Sequence, residues 1–142
     1  MEFNEIKGAL INCADLAALD DSSRGVLLLR GEYQRLPAGK VIYDQAAPLD
    51  DSFGLLLSGA LNVENGMKLI SQIQEQRIFG EMAYFAKRKE RTATVRVFSP
   101  VAEILLFRMS LEDLASEPFS NLRKYLGLKA WERFVSGSKS KP

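Results

Sequence analysis

The chain has 142 residues, 46% hydrophobic and 26% charged, with 19 Lys plus Arg against 18 Asp plus Glu for a net charge of +1. That is apolar material for one ordinary domain with one core, and so even a balance of charge excludes the broad basic field of a nucleic-acid binder. The absence of histidine removes Ser-His-Asp and Cys-His nucleophile systems and every His-ligated metal centre. Carboxylate-only catalysis survives as a logical option, but no motif in the chain calls for it, so no catalytic residue, no metal ligand and no cofactor are expected.

The first stretch, Asn4 to Leu19, has apolar residues at Ile6, Leu10, Ile11, Leu16 and Leu19, a helical spacing. Within it Cys13, the single cysteine, excludes an internal disulfide and suits a reducing cytoplasm. Met1 to Lys7 lacks the basic region and apolar stretch of a signal peptide, and no apolar run approaches the roughly 20 residues of a membrane span. A cytoplasmic protein with no membrane association is therefore expected. Val26 to Leu29 reads as a helix end or a first strand.

From Glu32 the pattern becomes one of short apolar or alternating segments. Tyr33 to Leu36, Val41 to Tyr43, Phe53 to Leu57 and Ala60 to Val63 are separated by the turn residues Pro37 to Gly39, Pro48 to Asp51 and Ser58–Gly59. Asn65–Gly66 is the strongest hairpin signal, because both residues tolerate positive φ, and Met67 to Ile73 reads as its return strand. Thr92 to Phe98 and Val101 to Arg108 form a last pair hinged at Ser99–Pro100. Short strands at regular spacing predict a jelly-roll β-barrel of about eight strands.

After Arg108 the chain turns helical. Ser110, with Asp113 three residues on, makes a capping-box pattern, and Pro118 interrupts. Leu122, Tyr125, Leu126, Leu128, Trp131, Phe134 and Val135 then recur at spacings of three and four, predicting an amphipathic helix with one wide apolar face. The fold class is thus mainly β with flanking helices: an N-terminal helix, a barrel and C-terminal lid helices. One domain is expected over residues 4–135, with a disordered tail over 136–142.

The informative segment runs from Phe79 to Val97. Gly80 allows a sharp turn and a close approach of ligand to backbone. A short helix starting near Met82 presents free N–H groups and a positive dipole end, a small anion site. Arg91 returns a guanidinium to the same place, and its planar fork suits two phosphate oxygens. Glu81 beside an anion site is unfavourable for the anion alone. It makes sense as the acceptor for a sugar hydroxyl that also holds Arg91.

Phe79–Gly80–Glu81–Met82–Ala83 and Arg91–Thr92–Ala93–Thr94–Val95 resemble the phosphate-binding cassette of the cyclic-nucleotide-binding domain family, whose pattern is F-G-E-[LM]-A, a variable loop, then R-[AST]-A-x-V. That family includes bacterial catabolite activators, regulatory parts of cyclic-nucleotide-dependent kinases and cyclic-nucleotide-gated channels. Upstream, Leu36 to Ile42 is similar to the family's first hairpin, and Asp51 to Val63 to its D-x-x-y…G-x-v-x-V strand pair. The resemblance implies that Arg91 pairs with the exocyclic phosphate oxygens and Glu81 accepts the ribose 2′-hydroxyl. It also implies that Gly80 and the N–H groups of Met82, Ala83 and Ala93 line the phosphate. Thr92 stands where a hydroxyl reaches the phosphate or the purine edge, which leaves cAMP and cGMP both open. Family members cap the base from the last helix, so Trp131 and Phe134 are candidate lid residues.

Two departures stand out. The family usually has a glycine or two just before F-G-E, and Gln74 to Ile78 has none; the turn Asp44 to Leu49 lacks one as well. Both concern loop conformation rather than ligand contacts. The resemblance implies a regulatory or sensor domain, not an enzyme, that binds cAMP or cGMP and transmits binding through its C-terminal helices to a protein partner or a second copy. The chain ends about seven residues after Val135, too soon for an appended helix-turn-helix, so direct DNA binding is not expected. The alternative is a structural or interaction domain that kept the fold and lost the ligand.

Overall fold

The computed structural model describes residues 1–139, with side chains as far as Val135. Helix α1 (Phe3–Asn12) leads into a 3₁₀ turn over Ala14–Leu16 and helix α2 (Asp21–Leu29). Asp20 caps α2, its carboxylate accepting from the Ser23 N–H at 2.8 Å, so Val26 to Leu29 is a helix end and not a strand. Eight strands follow: β1 (Gly31–Pro37), β2 (Val41–Tyr43), β3 (Ser52–Ser58), β4 (Leu61–Asn65), β5 (Lys68–Ile73), β6 (Ile78–Phe79), β7 (Thr94–Val97) and β8 (Val101–Arg108). The one-turn helix α3 (Met82–Phe85) lies between β6 and β7, and α4 (Leu111–Ala115) and α5 (Ser120–Lys139) close the chain.

The expected barrel is corrected to an open two-sheet arrangement. One sheet has the order β1-β8-β3-β6 and the other β2-β7-β4-β5, all neighbours antiparallel. Closure needs a hydrogen-bonded ladder between edge strands, and no ladder joins β1 to β2 or β5 to β6 among the described residues.

The period-2 geometry of a strand explains why β3 and β8 read as continuous apolar runs. Phe53, Leu55 and Leu57 on β3, with Leu105 and Phe107 on β8, face the helices and pack against Leu10, Leu16, Leu27, Leu122 and Leu126. Leu56 on β3 and Ala102, Ile104 and Leu106 on β8 face the second sheet and pack against Leu61, Phe79, Val95 and Val97. This sheet is therefore the middle of three layers. Gly54 lets β6 close on β3, since a Cβ there would sit 2.3 Å from Cζ of Phe79.

Other boundaries shift for local reasons. The hairpin loop is Gly66–Met67, with Asn65 still paired to Lys68 and Gly66 at φ +63. Ser110 and Asp113 form the expected reciprocal cap of α4, with bonds of 3.1 and 3.0 Å. The wide apolar face of the last helix divides: Leu122, Leu126 and Ala130 are buried, whereas Leu128 and Trp131 point outward, 58% and 65% exposed. That helix continues to Lys139, past the expected boundary at Val135, and residues 140–142 of the expected tail lie outside the described residues.

Candidate functional site

A cleft of about 1060 Å³ opens between the β4–β5 hairpin, the β6–α3 turn, the start of β7 and the middle of α5. Gly80, Met82, Ala83, Arg91, Thr92 and Ala93 all line it, so the two half-motifs meet on one wall. The turn that brings them there depends on Gly80, at φ +83, where a Cβ would lie 2.6 Å from the Tyr43 ring and 3.2 Å from Nη1 of Arg91.

Arg91 is 4% exposed. Its backbone is fixed by the loop before β3: Arg91 N–H donates to Ala47 O, and Ala46 N–H donates to Arg91 O, both at 2.8 Å. Its guanidinium lies over the Tyr43 ring, 3.5 Å from the centroid. Nη1 donates to Gly80 O at 2.8 Å, and Nη2 donates to Ser52 O at 2.8 Å and to Asp50. Ser52 Oγ in turn donates to Asp50 at 2.7 Å. Of the five guanidinium N–H donors, one on Nη1 and the one on Nε are left for a further acceptor. The fork is thus pre-oriented by the protein, with fewer donors open than a bare arginine offers. Partial burial works to raise the Asp50 carboxyl, but Ser52 and the Arg91 charge outweigh it and hold it below the ordinary aspartate range.

Glu81 opens the one-turn helix α3 and is completely buried. One oxygen accepts from Nη1 of Arg133 on α5, and the other, Oε2, is buried with no hydrogen-bond partner among the described residues. Burial pushes the carboxyl above its ordinary value, against the pull of Arg133. The sequence-based expectation that Glu81 also holds Arg91 is corrected: Glu81 pairs with Arg133, and Asp50 holds Arg91. A helix of one turn has little macrodipole, so what faces an anion here is the individual N–H groups of its first turn and not a summed field. Of the two candidate lid residues, Phe134 lines the cleft and is 36% exposed, whereas Trp131 lies on the outer face of α5.

Sequence reasoning passed over Tyr43, Asp50, Ser52, Lys129 and Arg133. One signal for the last two was present. Lys129 and Arg133 are four residues apart, in step with Leu122 and Leu126, so the buried face of α5 ends in two cations. The missing glycines also find their explanation here. Gln76, before Phe79–Gly80–Glu81, sits at φ +63, and Ala46, in the turn after β2, at φ +68. The left-handed turns are kept without the residue that makes them easy, at roughly 1 kcal/mol of strain each.

The family model of the cyclic nucleotide-binding domain matches residues 33–117, more than half of the chain. The chain belongs to the cyclic nucleotide-binding domain family. Known structures agree at the level of fold. The regulatory domain of Toxoplasma gondii PKA, solved with cAMP, superposes with a TM-score of 0.76 at 18% identity over 89% of this chain and 48% of that one. This cyclic nucleotide-binding domain thus spans about half the length of that relative. The sensor domain of the transcriptional regulator DNR from Pseudomonas aeruginosa gives 0.73 at 20% identity, covering 99% of this chain and 97% of that one. A putative cyclic nucleotide-binding protein from Geobacter metallireducens gives 0.71 at 17%, covering 96% and 97%. None of the curated proteins matches. The fold is therefore the one that regulatory and sensor domains share. Among the described residues no helix is long and apolar enough to cross a membrane.

Proposed function

We propose that this domain is a non-catalytic cytoplasmic sensor that binds a 3′,5′-cyclic purine monophosphate, cAMP or cGMP, in the cleft and passes occupancy to helix α5. The observation that carries the reading is Glu81. A buried carboxylate oxygen without a partner is destabilising by about 1–3 kcal/mol, and a sugar hydroxyl is a donor that relieves it. Arg91, held beside Gly80, supplies its two remaining N–H donors to the phosphate, joined by the backbone N–H groups of Met82, Ala83 and Ala93. Thr92 faces the phosphate or the purine edge, and Phe134 covers the base.

Transmission follows from Arg133. It lines the cleft and covers Glu81, so a hydroxyl that reaches Glu81 moves or joins the Arg133 contact and changes how the end of α5 is held. That is a population shift with the ligand and the helix linked through one carboxylate. The exposed Leu128 and Trp131 on the other side of α5 offer the surface for a protein partner or a second copy of the chain. No role in direct DNA binding or at a membrane is proposed.

A second reading draws on the same contacts. With Asp50 on Arg91 and Arg133 on Glu81, the site is satisfied in large part by its own side chains, as suits an interaction domain without a ligand. Titration with cAMP, cGMP and 5′-AMP separates the two: the first reading requires saturable binding that prefers the cyclic nucleotides, the second requires none.

A further inference from the structure

A buried aspartate outside the cassette has contacts on both sides of the site. Asp15, in the 3₁₀ turn after α1, is 1% exposed. Its Oδ1 accepts from Lys129 Nζ at 2.6 Å and from the Tyr125 hydroxyl at 2.9 Å, both on α5. Its Oδ2 accepts from the Ile78 N–H of β6 at 2.9 Å and pairs with Nε of Arg77 at 3.3 Å. One carboxylate thus joins α5 through one oxygen and β6 through the other. Ile78 lies three residues before Glu81, and Lys129 lies one helical turn before Arg133.

We propose that Asp15 is a positioning residue for the ligand site: it bolts helix α5 to strand β6 and so sets Arg133 in register against Glu81. This rests on the proposed role of Glu81 as the sugar acceptor. The apolar contacts of Leu122, Leu126 and Ala130 hold α5 at the right depth, but hydrophobic contact is non-directional and tolerates sliding and rotation. Three hydrogen bonds to one carboxylate, with the Arg77 ion pair beside them, do not. A buried ion pair is a weak device for stability compared with well-packed hydrophobic residues, and its best-attested use is to fix register. Asp15, Tyr125 and Lys129 all lie outside residues 33–117, so the bolt ties flanking helices to the family core.

The test uses the full chain with Asp15→Asn, which keeps shape and removes charge, and Lys129→Met, which removes only the cation. Should either fail to fold, Tyr125→Phe deletes one hydrogen bond and leaves no charge unpaired. Two quantities are read. In the free protein, amide hydrogen exchange should accelerate in Ile78 to Met82 and in residues 126–135 together, leaving β3 and β8 unchanged. With cAMP and its 2′-deoxy analogue, Asp15→Asn, at a residue outside the cleft lining, should lower the preference for ribose by about tenfold, the value of one hydrogen bond, while affinity for the deoxy compound changes little. Uniform acceleration across the domain, or an unchanged ribose preference in a variant that binds cAMP, overturns the proposal and leaves Asp15 a structural residue. If the parent binds no cyclic nucleotide, the proposed function fails, and the exchange pattern still decides whether Asp15 couples the two elements.

Discussion

Replacing Arg91 by alanine separates what the guanidinium does for the fold from what it does for a ligand. A charge-assisted hydrogen bond to phosphate is worth about 1.5–3 kcal/mol, so cAMP affinity should fall about ten- to a hundredfold. The fold loses the bonds to Gly80 O and Ser52 O and the stacking on Tyr43. Asp50 loses its cation but is 53% exposed and keeps Ser52, so its share is small after solvent screening. Together these amount to about 1–2 kcal/mol of stability, a fall in Tm of roughly 2–8 °C for a chain of this length. Arg91→Lys should recover only part of the affinity, because one ammonium cannot hold Gly80 O, Ser52 O, Asp50 and a phosphate together. Calorimetric titration beside thermal unfolding reads both effects, and adenosine serves as the control. It carries no phosphate, so its affinity should be the same for parent and variant. A folded Arg91→Ala protein that binds cAMP within about threefold of the parent, a difference under 1 kcal/mol, refutes the assignment.

Glu81→Gln should lower the preference for cAMP over 2′-deoxy-cAMP by about tenfold, read by titration of both ligands; an unchanged ratio assigns Glu81 a structural role. Gln76→Gly and Ala46→Gly should each stabilise the domain by about 0.5–1 kcal/mol, since both positions hold positive φ, as urea unfolding would measure. Burial works against ionisation of Asp15, but Lys129, the Ile78 N–H and Tyr125 outweigh it and hold its carboxyl below the ordinary value. Such a group stabilises the fold above the ordinary aspartate pKa, about 3.9, and that contribution is lost as pH falls through the lower folded value. Unfolding free energy should therefore drop on acidification below about pH 4, and Asp15→Asn should flatten that limb.

Much of this was readable in the chain. Phe79–Gly80, Met82–Ala83 and Arg91–Thr92–Ala93 named the wall of the cleft, because turn, N–H groups and guanidinium are local to that segment, with Glu81 buried between them in sequence and not on the wall itself. Ser110 and Asp113 named a helix start for the same local reason. What escaped was relational. A list of strands does not say which edges pair, so an open sandwich read as a barrel. The positive φ at Gln76 comes from tertiary bonds, its N–H donating to Leu56 O at 2.7 Å, and not from the residue's own preference. The contacts of Asp15 with Tyr125 and Lys129 span 110 and 114 residues, which no spacing rule reaches. Hydrophobic periodicity also merged two faces of α5, since Leu128 and Trp131 are apolar but exposed.

The central claim is that the cleft recognises a cyclic nucleotide through one phosphate contact and one sugar acceptor. Calorimetric titration of the full chain with cAMP, cGMP and 5′-AMP, run side by side, tests it most directly. The account predicts saturable binding of one nucleotide per chain, with at least one cyclic nucleotide about tenfold or more tighter than 5′-AMP, a difference of about 1.4 kcal/mol. Equal affinity for cAMP, cGMP and 5′-AMP, or no binding of any of them by the folded protein, would contradict it.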